Sequence, residues 1–145
     1  MLTLRRCTYE DVPKIVELSR QWSEEKVTFA YPAATEEKII NRLGDYFWVA
    51  EIDGLVIGYT HGVIQTLQYP VFPLHSEFLE IYEVYVHPDY REAGVGHKLV
   101  DSIIAEAESN GIVHALVGSS NLDWQRTVGF YERHGFKMWY VQMYR

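Results

Sequence analysis

The apolar positions of the chain switch between a period of two and a period near 3.6, and the switches mark out its elements. Leu2 to Cys7 alternates as a strand. Thr8 followed three residues on by Asp11 makes a short capping box and opens a helix to about Glu25, with Pro13 tolerated in its first turn. An aromatic loop with Phe29, Tyr31 and Pro32 leads into a second helix over Thr35 to Leu43. Tyr46 to Ile52 and Leu55 to about Leu67 read as strands joined at Asp53-Gly54, a hairpin signal. Gln68 to Phe78, with Pro70 and Pro73, reads as a loop, and Leu79 to Val86 as a buried strand. Val95, Leu99, Val100, Ile103, Ile104 and Ala107 then recur at helical spacing, and Asn110-Gly111 stops that helix. Ile112 to Gly118 is the next strand, parallel to Leu79–Val86 because a crossover helix joins them. A helix over Asp123 to His134, on which Trp124, Val128 and Tyr131 share a face, and a strand from Phe136 to Arg145 complete a single α/β domain over residues 1–145.

Composition changes the picture in three places. A chain of 145 residues that is 48% hydrophobic buries a sizeable core without staples, and the lone Cys7 has no partner for an internal disulfide, so the expected location is the cytoplasm. No apolar run reaches the roughly 18 residues of a membrane span, so no membrane partner is expected. The net charge of −7 opposes binding to nucleic acid and suits a cationic partner. The six histidines show no metal-ligand spacing, so no metal is expected.

Chemistry concentrates between Val84 and Leu99, where a buried strand runs into Arg91-Glu92-Ala93-Gly94-Val95-Gly96-His97 and then a helix. A helix start offers unpaired N–H groups and the positive end of the macrodipole, which suits a diphosphate, and glycine there lets a ligand approach the backbone. Gly94 and Gly96 are read as both serving that approach. The spacing is neither a dinucleotide fingerprint, since Leu99 stands at its third glycine, nor a P-loop, since His97-Lys98 follows Gly96. What remains, Arg-x-x-Gly-x-Gly between strand and helix with His87-Pro88 leading in, resembles the acyl-CoA signature of the GNAT superfamily of N-acetyltransferases.

The element order resembles that family over nearly the whole chain. The resemblance implies an α/β (α+β mixed sheet) fold of about six or seven strands flanked by four helices. It implies that acetyl-CoA is the cosubstrate, bound by Arg91, Glu92, Ala93, Gly94, Val95, Gly96 and His97, with the backbone of Val84, Tyr85 and Val86 holding the pantetheine arm and Val84 N–H polarising the thioester. In the segment Phe130-Tyr131-Glu132-Arg133-His134-Gly135-Phe136 it implies that Tyr131 protonates the departing thiolate, a task suited to a phenol of pKa near 10; a core aromatic is the alternative. The chain departs from the pattern at three places: Glu92 stands where the family often has glycine, Trp124 where an asparagine often contacts the cofactor, leaving Asn121 as the candidate, and Tyr82 where related enzymes often carry an acid.

An alkylammonium acceptor is neutral in only about one part in a thousand at pH 7, so a base or water relay has to take its proton. Glu83 is the candidate, with Glu80 placed on the opposite face by the spacing of three, and His61 a weaker candidate. The expected function is acetyl transfer from acetyl-CoA to a primary amine of a small molecule or peptide by direct attack, the other reading being a catalytically weak acyl-CoA-binding sensor or partner protein. The apolar terminal strand, as a sheet edge, suggests a homodimer.

Overall fold

The computed structural model describes residues 1–66 and 77–145. Its strands are β1 (Leu2–Arg6), β2 (Phe47–Ile52), β3 (Leu55–Thr66), β4 (Glu77–Val86) and β5 (Ala115–Val117); its α-helices are α1 (Val12–Glu25), α2 (Glu36–Arg42), α3 (Val95–Ser109) and α4 (Trp124–Glu132). The strands lie side by side in sequence order, antiparallel from β1 to β4, with β5 parallel to β4.

The local signals act as their chemistry dictates. Asp11 accepts from the N–H of Thr8 and from both terminal nitrogens of Arg5, which ties the end of β1 to the start of α1. Thr35 caps α2 by accepting from Lys38 N–H. Asp53 (φ 49°) and Gly54 (φ 84°) both take left-handed backbone, as a two-residue hairpin turn between right-twisted strands requires. At the end of α3 the N–H of Ile112 reaches Ala107 O beside left-handed Gly111, a closure that buries Ile112.

Two apolar layers fix the sheet. Val12, Ile15 and Leu18 of α1 and Ile39 of α2 pack on Phe47, Val49, Tyr59 and Tyr85. On the other face Val95, Leu99, Val100 and Ile103 of α3 pack on Ala50, Ile57, Leu79, Ile81 and Val86, with Phe130 and Tyr131 of α4 alongside. Each fully buried large side chain contributes about 1.5–3 kcal/mol, so both faces are strongly specified.

Three expectations need correction. The sheet has five strands among the described residues, not six or seven: residues 137–145 are exposed and join no ladder, because β5 is three residues long and offers little edge to template a neighbour. The stretch Ile112–Gly118 is strand only at Ala115–Val117, since Ile112 is consumed by the α3 cap. The loop expected to end at Phe78 gives way to strand at Glu77, and Phe78 is fully buried; its remaining part, residues 68–76, lies outside the described residues.

Candidate active site

β5 pairs with β4 only from Leu79 to Ile81. Beyond that point Val84, Tyr85 and Val86 are laddered to Thr60, Tyr59 and Gly58 of β3 and have no strand on their other edge among the described residues. The chain leaving β5 instead meets the α1–α2 connection, where Thr28 and Asn121 form a bridge flanked by Phe29 N–H to Ser120 O and Leu122 N–H to Val27 O. A strand edge with no strand partner therefore faces a gap, its Val86 carbonyl taken by Arg91.

That edge runs into the Arg91–His97 turn. Glu92 (φ 64°) and Gly94 (φ 78°) are both left-handed, and this alternation curls successive N–H groups to one side. The amide N–H groups of residues 92–97 donate to no acceptor among the described residues, and the first helical bond of α3 is Lys98 N–H to Gly94 O. A Cβ on Gly94 would meet no atom within 4 Å, so the space above it is open. Gly96 does a different job from the one expected of it: a Cβ there would meet the Phe130 ring at 3.3 Å, so its missing side chain brings α3 against α4 rather than admitting a ligand. Arg91 braces the turn. Its Nε donates to Val86 O (2.8 Å), a terminal nitrogen to Glu25 (2.8 Å), and its guanidinium lies over the Tyr85 ring. His97 stacks on Phe130 and shares a hydrogen bond with His134 (2.8 Å).

Across the sheet, on the α1–α2 face, the register of β3 and β4 slips between His61 and Gly62, so that Tyr82 is an extra residue on β4. Gly62 is required there, since a Cβ would stand 2.7 Å from Glu80 O, and Thr60 Oγ1 donates to Glu83 O (2.9 Å) at the slip. The bulge cancels the expected alternation. Glu83 pairs opposite His61 and Glu80 opposite Val63, and those two β3 residues share a face, so both glutamates point the same way. They differ in their surroundings instead. Glu80 is held near the surface by Gln65 and Tyr82, while Glu83 is buried and receives the Tyr31 hydroxyl (2.8 Å) and the Arg42 guanidinium. Tyr31 in turn bonds Ser19 (2.8 Å), and burial with the nearby Glu83 charge pushes its pKa up to about 12, so it is the donor to Glu83.

Glu83, Arg42, Tyr31, Tyr82 and His61 line a cavity of about 440 Å³ with Lys38 at its side. His61 is buried, its Nδ1 has no hydrogen-bond partner, and burial aided by the Arg42 charge lowers its pKa to about 4. It is neutral at pH 7.

A family profile described as "Acetyltransferase (GNAT) domain" matches residues 44–138. The chain belongs to the GNAT acetyltransferase family. An amino-acid acetyltransferase of Vibrio atlanticus is 28% identical over 130 residues, covering 89% of this chain and 26% of that protein. The chain spans between about a quarter and a half of the length of the curated relatives it matches. The fold agrees with a predicted acetyltransferase of Clostridium acetobutylicum solved with acetyl-CoA (TM-score 0.74, 18% identity, 99% of this chain and 96% of that one) and with the aminoglycoside N-acetyltransferase AAC(6')-Iy in complex with CoA (TM-score 0.75, 19% identity, 100% and 94%).

The remaining GNAT candidates fall as follows. Tyr131 packs with Phe130 and Phe136 against the Leu79 and Ile81 cluster, which Val84 and Val117 also border. Its hydroxyl has no hydrogen-bond partner among the described residues, and burial pushes its pKa up to about 12. Trp124 is 63% exposed and so does not share the packed face of α4 with Tyr131. Asn121 spends its side-chain oxygen on Asp123 N–H (2.8 Å) within a turn. Among the described residues no cluster of metal-ligating side chains occurs and no helix is long and apolar enough to cross a membrane. Reading the sequence missed Tyr31, Lys38 and Arg42. The one local hint of the bulge that gathers the site was a glycine, Gly62, inside an otherwise β-rich strand.

Proposed function

We propose that this GNAT domain transfers an acetyl group from acetyl-CoA to a primary amine by direct attack, with no acyl-enzyme. The observation that carries the reading is the run of six N–H groups over residues 92–97 with no acceptor among the described residues, set where the open edge of β4 arrives. The residues fit the cosubstrate. Curled backbone donors and the N-terminus of α3 suit a diphosphate, open space over Gly94 admits it, and the Val84–Val86 edge, apart from the Val86 carbonyl held by Arg91, offers main-chain groups to an extended amide-bearing arm. When bound, acetyl-CoA supplies an activated carbonyl carbon.

The chain's own residues do the rest. Val84 N–H polarises the carbonyl. Glu83, directly or through water, takes the ammonium proton; Arg42 and Tyr31 fix its carboxylate and leave part of its acceptor capacity free. Tyr131, protonated at neutral pH, gives its proton to the departing sulfur. Neither buried Cys7, with its thiol pushed up to about 12 by burial, nor a serine paired with histidine stands as a rival nucleophile among the described residues.

A homodimer and a cytoplasmic location belong to the same reading. The first rests on the exposed apolar side chains of Met138, Tyr140, Val141, Met143 and Tyr144, which a second copy would cover. The second rests on a single free cysteine. Thiol release from acetyl-CoA across a panel of primary amines tests the activity. Amine-dependent release is expected, whereas binding of acetyl-CoA without release from any amine would make the protein a sensor and overturn catalysis.

A further inference from the structure

The acceptor cavity carries a charge opposite to that of the whole chain. The protein has a net charge of −7, yet the ionised groups lining the cavity are Lys38, Arg42 and Glu83. Glu83 is matched by Arg42, and the Lys38 ammonium has no partner among the described residues. His61, held neutral, adds no charge. Among the described residues the lining side chains thus sum to one positive charge before any acceptor enters.

Lys38 and Arg42 are four residues apart on α2, so their side chains lie one above the other on a single face, while Ile39 is buried in the core. Like charges at this spacing repel, and an anion between them relieves the repulsion. Arg42 meets Glu83 through one terminal nitrogen, which leaves the remaining donors of its fork uncommitted. A spermidine or an aminoglycoside would bring several further positive charges against this wall. An amine that carries its own carboxylate matches it, with the ammonium toward Glu83 and the carboxylate toward α2.

We propose, resting on the acetyltransferase reading above, that Lys38 and the free arm of Arg42 anchor a carboxylate of the acceptor. The substrate class is then amino acids and similar amino-carboxylates rather than polyamines. Lys38 is a specificity-determining residue, not a catalytic one.

Lysine, glutamate and β-alanine, their carboxamides, cadaverine and spermidine are compared as acceptors in acetyl-CoA thiol release. The carboxylates are expected to exceed their amides in kcat/KM by about tenfold or more, the scale of one charge-assisted hydrogen bond. Lys38→Gln should raise KM about tenfold for the carboxylates at nearly constant kcat and leave the amides unchanged. Cadaverine or spermidine used as well as lysine, or an equal loss for acids and amides in Lys38→Gln, would overturn the proposal while leaving the acetyltransferase reading intact. If no amine releases thiol, the same acids and amides are titrated calorimetrically into CoA-loaded protein. Binding of acids that Lys38→Gln removes supports the carboxylate anchor and contradicts acetyl transfer; no binding of acids contradicts the anchor.

Discussion

The two halves of the proposed site are built from different materials. On the proposed donor side the available groups are main chain: a strand edge left open by a short β5, and consecutive N–H groups curled by left-handed Glu92 and Gly94. On the proposed acceptor side they are side chain: Tyr31 and Arg42 reach Glu83 across 52 and 41 residues of sequence, and a bulge at Tyr82 decides which groups face the cavity. A backbone site needs particular conformations, which a few local residues impose. A side-chain site needs the whole fold to bring its members together, and it is free to change with the acceptor.

Each half can be broken without the other, and the largest effect is expected where they meet. Tyr131→Phe should lower kcat by about 10²–10⁴ with CoA affinity unchanged, the span for a general acid; unchanged single-turnover rates would return Tyr131 to the core. On the donor side alone, Gly94→Val puts a branched side chain into open space above the cradle and should weaken CoA binding by about 100-fold, roughly two lost hydrogen bonds to a charged group. Its left-handed backbone costs about 1–2 kcal/mol of stability, so thermal unfolding is measured alongside, and Gly94→Ala should lie between. Gly96 is no substitute for Gly94 in this test, because a side chain there strikes Phe130.

On the acceptor side alone, Glu83→Gln should keep CoA affinity and lower turnover by about 10²-fold near neutral pH, recovering as pH rises and solution supplies neutral amine. Glu80→Gln, on the same face but held by Gln65 and Tyr82, should stay within roughly threefold of wild type. A larger loss in Glu80→Gln than in Glu83→Gln would reassign the base.

His61 gives the acceptor side a stability signature. Its folded pKa of about 4 lies below the unfolded value of 6.5, so the unfolded chain binds more protons between those values. The neutral histidine's contribution is intact above pH 6.5 and is lost as pH falls, by about 2–3 kcal/mol near pH 4. Urea unfolding of wild type and His61→Phe at pH 7 and pH 4.5 should show that dependence reduced in the variant; parallel curves would contradict it. A small effect is expected from Glu92→Gly, which removes a left-handed exposed residue and a negative charge beside the turn and should tighten CoA binding by roughly twofold to fivefold, less at high salt.

The same division explains what the sequence disclosed. The Arg91 to His97 turn, the capping box at Thr8, the hairpin turn at Asp53-Gly54 and the helix stop at Gly111 were legible because each is a local conformational demand. The shared face of Glu80 and Glu83 was not, because one inserted residue reverses a period of two, and only Gly62 marked the place. The terminal segment Phe136–Arg145 misled for a different reason. Its apolar residues have strand propensity, but a strand forms against a partner edge, and the three residues of β5 supply too little of one.

The claim that the backbone of residues 92–97 and of Val84–Val86 receives the cosubstrate is tested most directly by following amide ¹H–¹⁵N resonances during a titration with CoA. The largest shifts are expected at residues 92–97 and along Val84–Val86, with only small changes at Lys38 and Arg42 of α2. Saturable binding that leaves the amides of 92–97 unmoved would contradict the account.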